Sequence, residues 1–561
     1  MNKPWTAHYE PHVPPTIDIP DTPLSDCLRR NALRHPKRTA LIFFDKRVSF
    51  QELNDAVDRF AAGLQKLGVG QGDRVAVYMP NCPQYVIAYY GILRAGAVIV
   101  PCNPLYVARE LQHQITDAGA RVVVVLSSFY RTIKEIRSDT PLEYAIVANI
   151  KDYFPPHLRA LFTLLKEKKE GHYLDLTEER ETVWFTDFVD NAPAVPAPVR
   201  VRLDDTACLL YTGGTTGVPK GAELTHGNLL VNAMQCQVWL NTKPAGEVVM
   251  AALPMSHSYG MTTCLNHGMY CASTLVLIPN PRDLAFVLKN IQKHKPTLFP
   301  GVPTMYVAIN NHPDIQKYDL SSIRACISGG AGLPKEVQIR FEQLTGGKLV
   351  EGYGLTEASP VTHANPIFGD CRIGTIGLPW PNTECMLIDS ENGHHEVAPG
   401  EPGELCIKGP QVMKGYWNMP DETAKVLRDG WLYTGDIAVM SEDGYFSIVD
   451  RKKDMIIAGG FNIYPREIEE VLYEHPKVKE AVAVGIPHPY RGETVKAYVV
   501  LKNGESITEA ELIAWCKGRL AKFKIPTAIE FRADLPKTMV GKILRRALRE
   551  EEMAKVQAAG K

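Results

Sequence analysis

The sequence predicts an α/β fold: helices layered over a largely parallel sheet, followed by a smaller α+β domain at the C-terminus. Two observations carry this expectation. Helical and strand patterns alternate through most of the chain, and the composition shifts after about Glu384 toward turn-separated strands. At 561 residues the chain is also too long for a single core, so several structural units are expected.

Taken in order, SFQELNDAVDRFAAGLQKLG begins at Ser49 and places Glu52 three residues later, the pattern of a capping box. Leu53, Val57, Phe60, Leu64 and Leu67 form one apolar face, and Gly68 supplies the stop. RVAVYMP reads as a short buried strand, VIAYYGILRAGAVIVP repeats the helix-then-strand pattern, and Arg121 to Leu126 is another buried strand. After Glu384, MLIDSENGHHEVAPGEPGELCIKG reads as two strands joined by loops, with Asn392-Gly393 at a hairpin turn. A further hairpin, WLYTGDIAVMSEDGYFSIVD, turns at Glu442-Asp443-Gly444. The charged run Asp450 to Asp454 suits a linker, which divides the chain into 1–449, a connecting segment 450–454 and a small domain 455–561. There Pro465 opens a helix with Ile468, Val471 and Leu472 on its apolar face, ending before Pro476. EAVAVGIP and KAYVVLK read as strands, a helix surrounds Trp515, and KILRRALREEEMAK closes the chain.

Composition excludes some functions. Lys and Arg number 62 against 63 Asp and Glu, a net charge of -1 that gives no global reason to expect nucleic acid. The twelve cysteines show neither a CxxC pair nor zinc spacing, as expected in a reducing, cytoplasmic compartment. MNKPWTAHYEPHVPPTIDIP lacks the apolar stretch of a secretory signal, and no apolar run is long enough to span a bilayer. The ending QAAGK matches neither a peroxisomal nor a prenylation signal. His394, His395 and Glu396 read as a solvated loop tip rather than a metal site.

Four segments carry chemistry. YTGGTTGVPKGAELTH, Tyr211 to His226, sits between the apolar strand ACLLY and the helical NLLVNAMQ. Thr212, Gly213, Gly214, Thr215, Thr216 and Gly217 offer backbone N–H groups and hydroxyls to an anion, and Lys220 adds charge. Pro219 before the lysine and Gly221 after it break the P-loop pattern of nucleoside triphosphatases. Next, GGAGLP at 329–334 precedes EGYGLTEASP at 351–360. Here Tyr353 can stack on a purine, Thr356 can donate to a phosphate, and Glu357 offers the hard oxygen that Mg²⁺ prefers. In WLYTGDIA, Asp436 can accept from both ribose hydroxyls. In LPKTMVGKILRR, Lys542 follows a glycine just ahead of the last helix. Each segment alone also reads as ordinary turn or surface chemistry.

The ordered set resembles the adenylate-forming superfamily, together with DRKKDMI at 450–456, LPMSH at 253–257 and GELCIKGPQVMKGYW at 403–417. Its wording is most similar to bacterial long-chain fatty-acid–CoA ligases, notably in GWLYTGDIAVMSEDGYFSIVDRKKDMI and LPKTMVGKILRRALR. The resemblance implies layered α/β sheets with a β-barrel-like subdomain, and a small mobile C-terminal domain turning about Asp450. It implies two half-reactions using ATP, Mg²⁺ and coenzyme A: a fatty carboxylate forms acyl-adenylate and pyrophosphate, then the thiol takes the acyl group and AMP leaves.

Carried over by position, Thr212–Gly217 and Lys220 resemble the β,γ-phosphate loop, although some relatives have Ser or Thr in place of Gly213. Ala331, Gly332, Glu351, Gly352, Tyr353, Gly354, Leu355 and Thr356 resemble the adenine and α-phosphate wall. Glu357 resembles the Mg²⁺ ligand, Asp436 and Arg451 the ribose contacts, and Ile448 a further nucleotide-binding position. Lys542 resembles the adenylation lysine, Gly459 and Gly460 the pantetheine path, and His257 the gate between acyl and thiol sites. Tyr259, Met261, Val302 and Pro303 are acyl-pocket candidates.

Alternatives within the resemblance are a medium-chain or other carboxylic acid–CoA ligase, or a fatty acyl-AMP ligase that loads a carrier protein. A nucleotide-sensing module without catalysis would need neither Lys542 nor the Gly459–Gly460 region. Finally, PPHLRALFTLLKEKKEGHY, Pro155 to Tyr173, pairs Leu158, Leu161, Phe162 and Leu165 with Arg159, Lys166, Lys168 and Lys169. That pattern permits peripheral contact with an anionic membrane face, while a surface helix packed on its own domain is the plainer alternative. A homodimer is left open.

Overall fold

A computed structural model describes the chain except residues 1–2, 213–218, 390–392, 394, 453, 459–460, 489–491, 518, 539–540, 542 and 560–561, and the side chains of 451, 461–462, 492 and 556–559. The chain is of mixed α/β type, with a large N-terminal and a smaller C-terminal part. Its compact units are Trp5–Glu384 with Lys408–Gly430, and Cys385–Ile407 with Trp431 onward.

In the first unit an eight-stranded sheet runs in the order Gly415–Tyr416, Lys220–Thr225, Thr206–Thr212, Val98–Cys102, Arg74–Tyr78, Val122–Leu126, Tyr144–Ala148, Thr182–Trp184. The last six are parallel, and the first two join antiparallel at one edge. Strands buried on both faces need apolar side chains throughout, which is why RVAVY and RVVVVL read as continuous apolar runs. Val123, Val125, Val100, Tyr78 and Val147 meet in this core. The capping box is present: Ser49 Oγ accepts from the Glu52 amide, and the Glu52 carboxylate accepts from the Ser49 amide at 2.7 Å. The helix runs Phe50–Lys66, and Gly68 follows at φ +74°. Leu53, Val57, Phe60 and Leu64 are fully buried.

A second layer brings Ala325–Ser328, Lys348–Gly354, Val361–Ala364 and Leu378–Pro379 side by side. Parallel pairing of the first two sets Ser328 opposite Glu351, so the GGAGLP and EGYGLTE segments leave neighbouring strand ends together. In open α/β sheets such strand ends are where ligands bind.

One expectation is corrected. The sequence reading took the Gly/Thr loop from a strand directly into a helix, but an extra strand, Lys220–Thr225, intervenes before the helix His226–Trp239. KGAELT has a single β-branched residue, Thr225 at its end, and no aromatic one, so little in it flags a strand; hairpin pairing with Thr206–Thr212 imposes the conformation. Thr225 then caps the helix by accepting from the Asn228 amide at 3.1 Å.

In the second unit the strands expected after Glu384 pair antiparallel, Gly403–Lys408 with Trp431–Met440 and the latter with Phe446–Arg451. Gly393 has φ +67°, and Asn392 and His394 lie outside the described residues. Gly444 turns the second hairpin at φ +90°. Farther on, Val478–His488 and Gly492–Leu501 form a long antiparallel pair. It is covered by Pro465–Tyr473, whose Ile468 and Leu472 are buried, and by Glu509–Lys517. Arg545–Ala559 is the last helix.

Eleven of the twelve cysteines are buried and all are free thiols. Among the described residues no helix is long and apolar enough to cross a membrane.

Candidate active site

Thr212 and Lys220 stand opposite each other in the hairpin, at the two ends of the segment 213–218. The expected phosphate ligands Gly213, Gly214, Thr215, Thr216 and Gly217 lie outside the described residues. The hairpin base is tightly built. A Cβ on Gly221 would stand 3.1 Å from the Tyr211 ring, so any side chain on the residue after the lysine would press on that ring. Tyr211 in turn donates to Asp117 at 2.5 Å, and burial and this carboxylate keep its phenol strongly protonated.

Lys220 is already engaged by negative charge. Its ammonium is ion-paired with Glu422 and lies 5.1 Å from the centroid of the Tyr416 ring. Hydrogen bonding from Lys220, and then from Lys425, holds the Glu422 carboxyl down at about pKa 2. The Tyr416 hydroxyl donates to Glu357 Oε1 at 2.8 Å, so one side chain joins two residues that the sequence reading assigned to the triphosphate and its cation.

Glu357 sits in a short 3₁₀ turn, Thr356–Ala358, that follows directly on the strand Lys348–Gly354. The glycines of that strand are sterically required: a Cβ on Gly354 would stand 2.2 Å from Pro360 O, and one on Gly352 2.7 Å from Ile327 Cγ2. Thr356 Oγ1 is 3.3 Å from Ser258 Oγ, which brings the LPMSH and YGLTE segments into contact. His257 opens the turn Ser258–Gly260, with Nδ1 accepting from the Tyr259 amide at 3.2 Å. The Glu351 carboxylate accepts from the Leu333 amide at 3.2 Å, and so anchors the loop in which Ala331 and Gly332 are exposed. Tyr353 and Leu355 are half-buried, and the Tyr353 ring meets His363 edge-on at 5.9 Å. Of the acyl-pocket candidates, Tyr259 donates to Ile327 O at 2.6 Å and packs beside Gly329, while Val302 lies beside Gly330. Met261 opens a π-helical turn, Met261–Asn266, and Pro303 starts the helix Pro303–Asn310; both are buried.

In the second unit Asp436 is buried and pairs in register with Arg451. Ile448 is half-buried, and its carbonyl accepts from the Arg466 guanidinium at 3.0 Å. Asp450 accepts from the Arg466 amide at 2.9 Å and lies 3.7 Å from Arg545. Gly459, Gly460 and Lys542 lie outside the described residues, as does the side chain of Arg451.

No group of three or more His, Cys, Asp or Glu side chains suited to a metal ion occurs among the described residues. Tyr416, Tyr211, Asp117 and Glu422 were missed as site residues. Tyr416 lay within GELCIKGPQVMKGYW, but only strand pairing shows which neighbours it meets.

Comparison with known proteins gives the family. Residues 28–417 match the AMP-binding enzyme family, and residues 467–542 match the AMP-binding enzyme C-terminal domain. The chain is 48% identical over 551 residues to a long-chain-fatty-acid–CoA ligase of Bacillus subtilis (strain 168), covering 98% of both chains. It is 41% identical to the enzyme of the same name from Escherichia coli O157:H7, covering 99% of each. Among solved structures, the anthranilate CoA ligase AuaEII in complex with anthranoyl-AMP superposes with a TM-score of 0.84 at 28% identity. That match covers 96% of this chain and 99% of the other.

Proposed function

The chain belongs to the family of AMP-binding enzymes, and from that premise we propose that it is an AMP-forming acid–thiol ligase whose acid is a long-chain fatty acid. In the first half-reaction a carboxylate oxygen attacks the α-phosphorus of ATP. The bond from that phosphorus to the bridging oxygen breaks, and pyrophosphate leaves. In the second, the thiolate of coenzyme A attacks the acyl carbonyl, the carbon–oxygen bond to the nucleotide breaks, and AMP leaves. The observation that carries this reading is the convergence of Lys220 and Glu357 on Tyr416, beside the ends of the 213–218 segment. The identity of 48% across nearly the whole of a curated long-chain ligase supports the substrate class.

Each role follows from charge. Thr212, the 213–217 amides and hydroxyls, and Lys220 grip the β- and γ-phosphates, with Lys220 exchanging Glu422 for phosphate. Thr356 donates to the α-phosphate. Tyr353, with Ala331, Gly332 and the glycines at 352 and 354, forms a thin wall against the purine; Glu351 and Leu355 hold that wall in place. Asp436, paired in register with Arg451 and with Ile448 opposite Ala438 on the same strand pair, takes the ribose. Mg²⁺ bound with ATP supplies neutralisation of phosphate charge, and Glu357 is its ligand. Lys542 bonds carboxylate and α-phosphate as charge builds in the transition state, which lowers the barrier where preorganised donors count most. Segment 450–454 is the hinge, Gly459 and Gly460 admit pantetheine, and His257 separates the acyl and thiol sites.

Peripheral contact with an anionic lipid surface belongs to the same reading, since the acid partitions into lipid. In the helix Pro156–Leu165, Phe162 turns inward against Phe154 and His172, while Leu161, Leu164 and Leu165 are 52%, 81% and 66% exposed. The test of function is product analysis across straight-chain acids from four to eighteen carbons. AMP and acyl-CoA formed one for one, with the maximum at long chains, support it. A maximum at short chains or aromatic acids moves the enzyme to another acid, and adenylate without thioester makes it a carrier-loading ligase.

A further inference from the structure

Tyr416 has no role in the chemistry described so far, yet it touches both Lys220 and Glu357. Its backbone is fixed from three sides. Tyr416 pairs in register with Ala222, its amide donates to Thr423 Oγ1 at 2.8 Å, and the Met413 amide three residues earlier donates to the Glu357 carbonyl at 2.7 Å. Trp417 continues the clamp, its amide donating to Gly221 O at 2.8 Å and its indole to Asp117 O at 3.2 Å. The ring therefore leaves a rigid strand edge, with the Lys220 ammonium 5.1 Å from its centroid and its hydroxyl on Glu357 Oε1 at 2.8 Å.

We propose that Tyr416 is a positioning residue for the nucleotide–cation site: its hydroxyl orients the Glu357 carboxylate, and its ring holds Lys220 beside it. The inference rests on the reading of Glu357 as the cation ligand. A hydroxyl donating to a carboxylate makes a charge-assisted bond, stronger than a neutral one, and fixes the rotation of the group. With Oε1 accepting from Tyr416, the Glu357 carboxylate would be held in one orientation for a cation. Partners that orient ligating carboxylates commonly matter nearly as much as the ligands themselves. The ring's attraction for an ammonium adds the second function, aligning Lys220 before a triphosphate displaces Glu422.

The experiment measures ATP binding by calorimetry, with Mg²⁺ and again in chelator, for wild type, Tyr416→Phe, Glu357→Gln and the double variant. Tyr416→Phe keeps the ring and removes only the donor. It is expected to weaken ATP binding about tenfold with Mg²⁺ and to leave binding in chelator unchanged. Because the hydroxyl acts through Glu357, the double variant should bind no more weakly than Glu357→Gln alone. Tyr416→Leu, which removes the ring as well, should weaken binding in chelator too. If Glu357→Gln loses the Mg²⁺ effect while Tyr416→Phe retains it in full, the Tyr416 proposal is overturned and the role of Glu357 stands. Additive losses in the double variant overturn it equally. If Glu357→Gln itself keeps the Mg²⁺ effect, the cation-ligand reading fails and the proposal falls with it.

Discussion

Tyr211 closes over Gly221, so near that a Cβ on the glycine would stand 3.1 Å from the ring, and Asp117 pins the phenol in place at 2.5 Å. Any side chain after Lys220 would press on that ring, where glycine does not. Gly221→Ser is expected to cost about 1–3 kcal/mol of stability, the usual penalty of overpacking, and to raise the KM for ATP by displacing the adjoining Lys220. A lowered denaturation midpoint with a raised KM is the expected pair; an unchanged midpoint would show that Tyr211 yields.

Three buried histidines set an acid limit on the fold. Burial lowers the pKa of His226 and His267 from 6.5 to about 4 and that of His363 to about 3. Between those values the unfolded chain binds protons that the folded chain does not, so the contribution is complete above pH 6.5 and is lost as pH falls toward 4. Each is expected to cost about 2 kcal/mol between pH 6.5 and 5. Unfolding temperature measured against pH should fall over this window, and His226→Gln should make the slope shallower. An unaltered slope would contradict the assignment.

The exposed leucines of the helix Pro156–Leu165 invite a direct comparison. Replacing Leu161, Leu164 and Leu165 together with Ser should reduce co-sedimentation with anionic vesicles about tenfold or more. Activity on a short, water-soluble acid should stay the same, because these side chains face outward. Undiminished vesicle binding would remove the membrane proposal and leave the ligase reading intact.

Much of this architecture was legible because local signals agreed with burial. Ser49 and Glu52 announced a capping box that forms, the valines of RVVVVL lie in a strand buried on both faces, and Pro465 opens its helix. Where context outweighed propensity, the reading failed. KGAELT becomes a strand only because Thr206–Thr212 and Gly415–Tyr416 flank it. The helix at 156–165 looked like a single apolar face, yet only Phe162 is buried and Leu158 is half-buried. At the site, motif residues such as Lys220, Thr356 and Glu357 were recognisable by chemistry. Their partners Tyr416, Glu422 and Ser258 are distant in sequence, and only strand pairing and loop closure bring them near.

The proposed mechanism separates acid activation from thiol transfer and makes the first depend on the charge of Lys542. The measurement that tests it compares wild type with Lys542→Ala in each half-reaction: acyl-adenylate formation from ATP and a sixteen-carbon acid, and acyl-CoA formation from supplied acyl-adenylate. The expected result is a loss of about 10²–10³-fold in the first step with the second retained to within a few-fold. Equal losses in both steps, or full adenylation by the variant, would contradict the account.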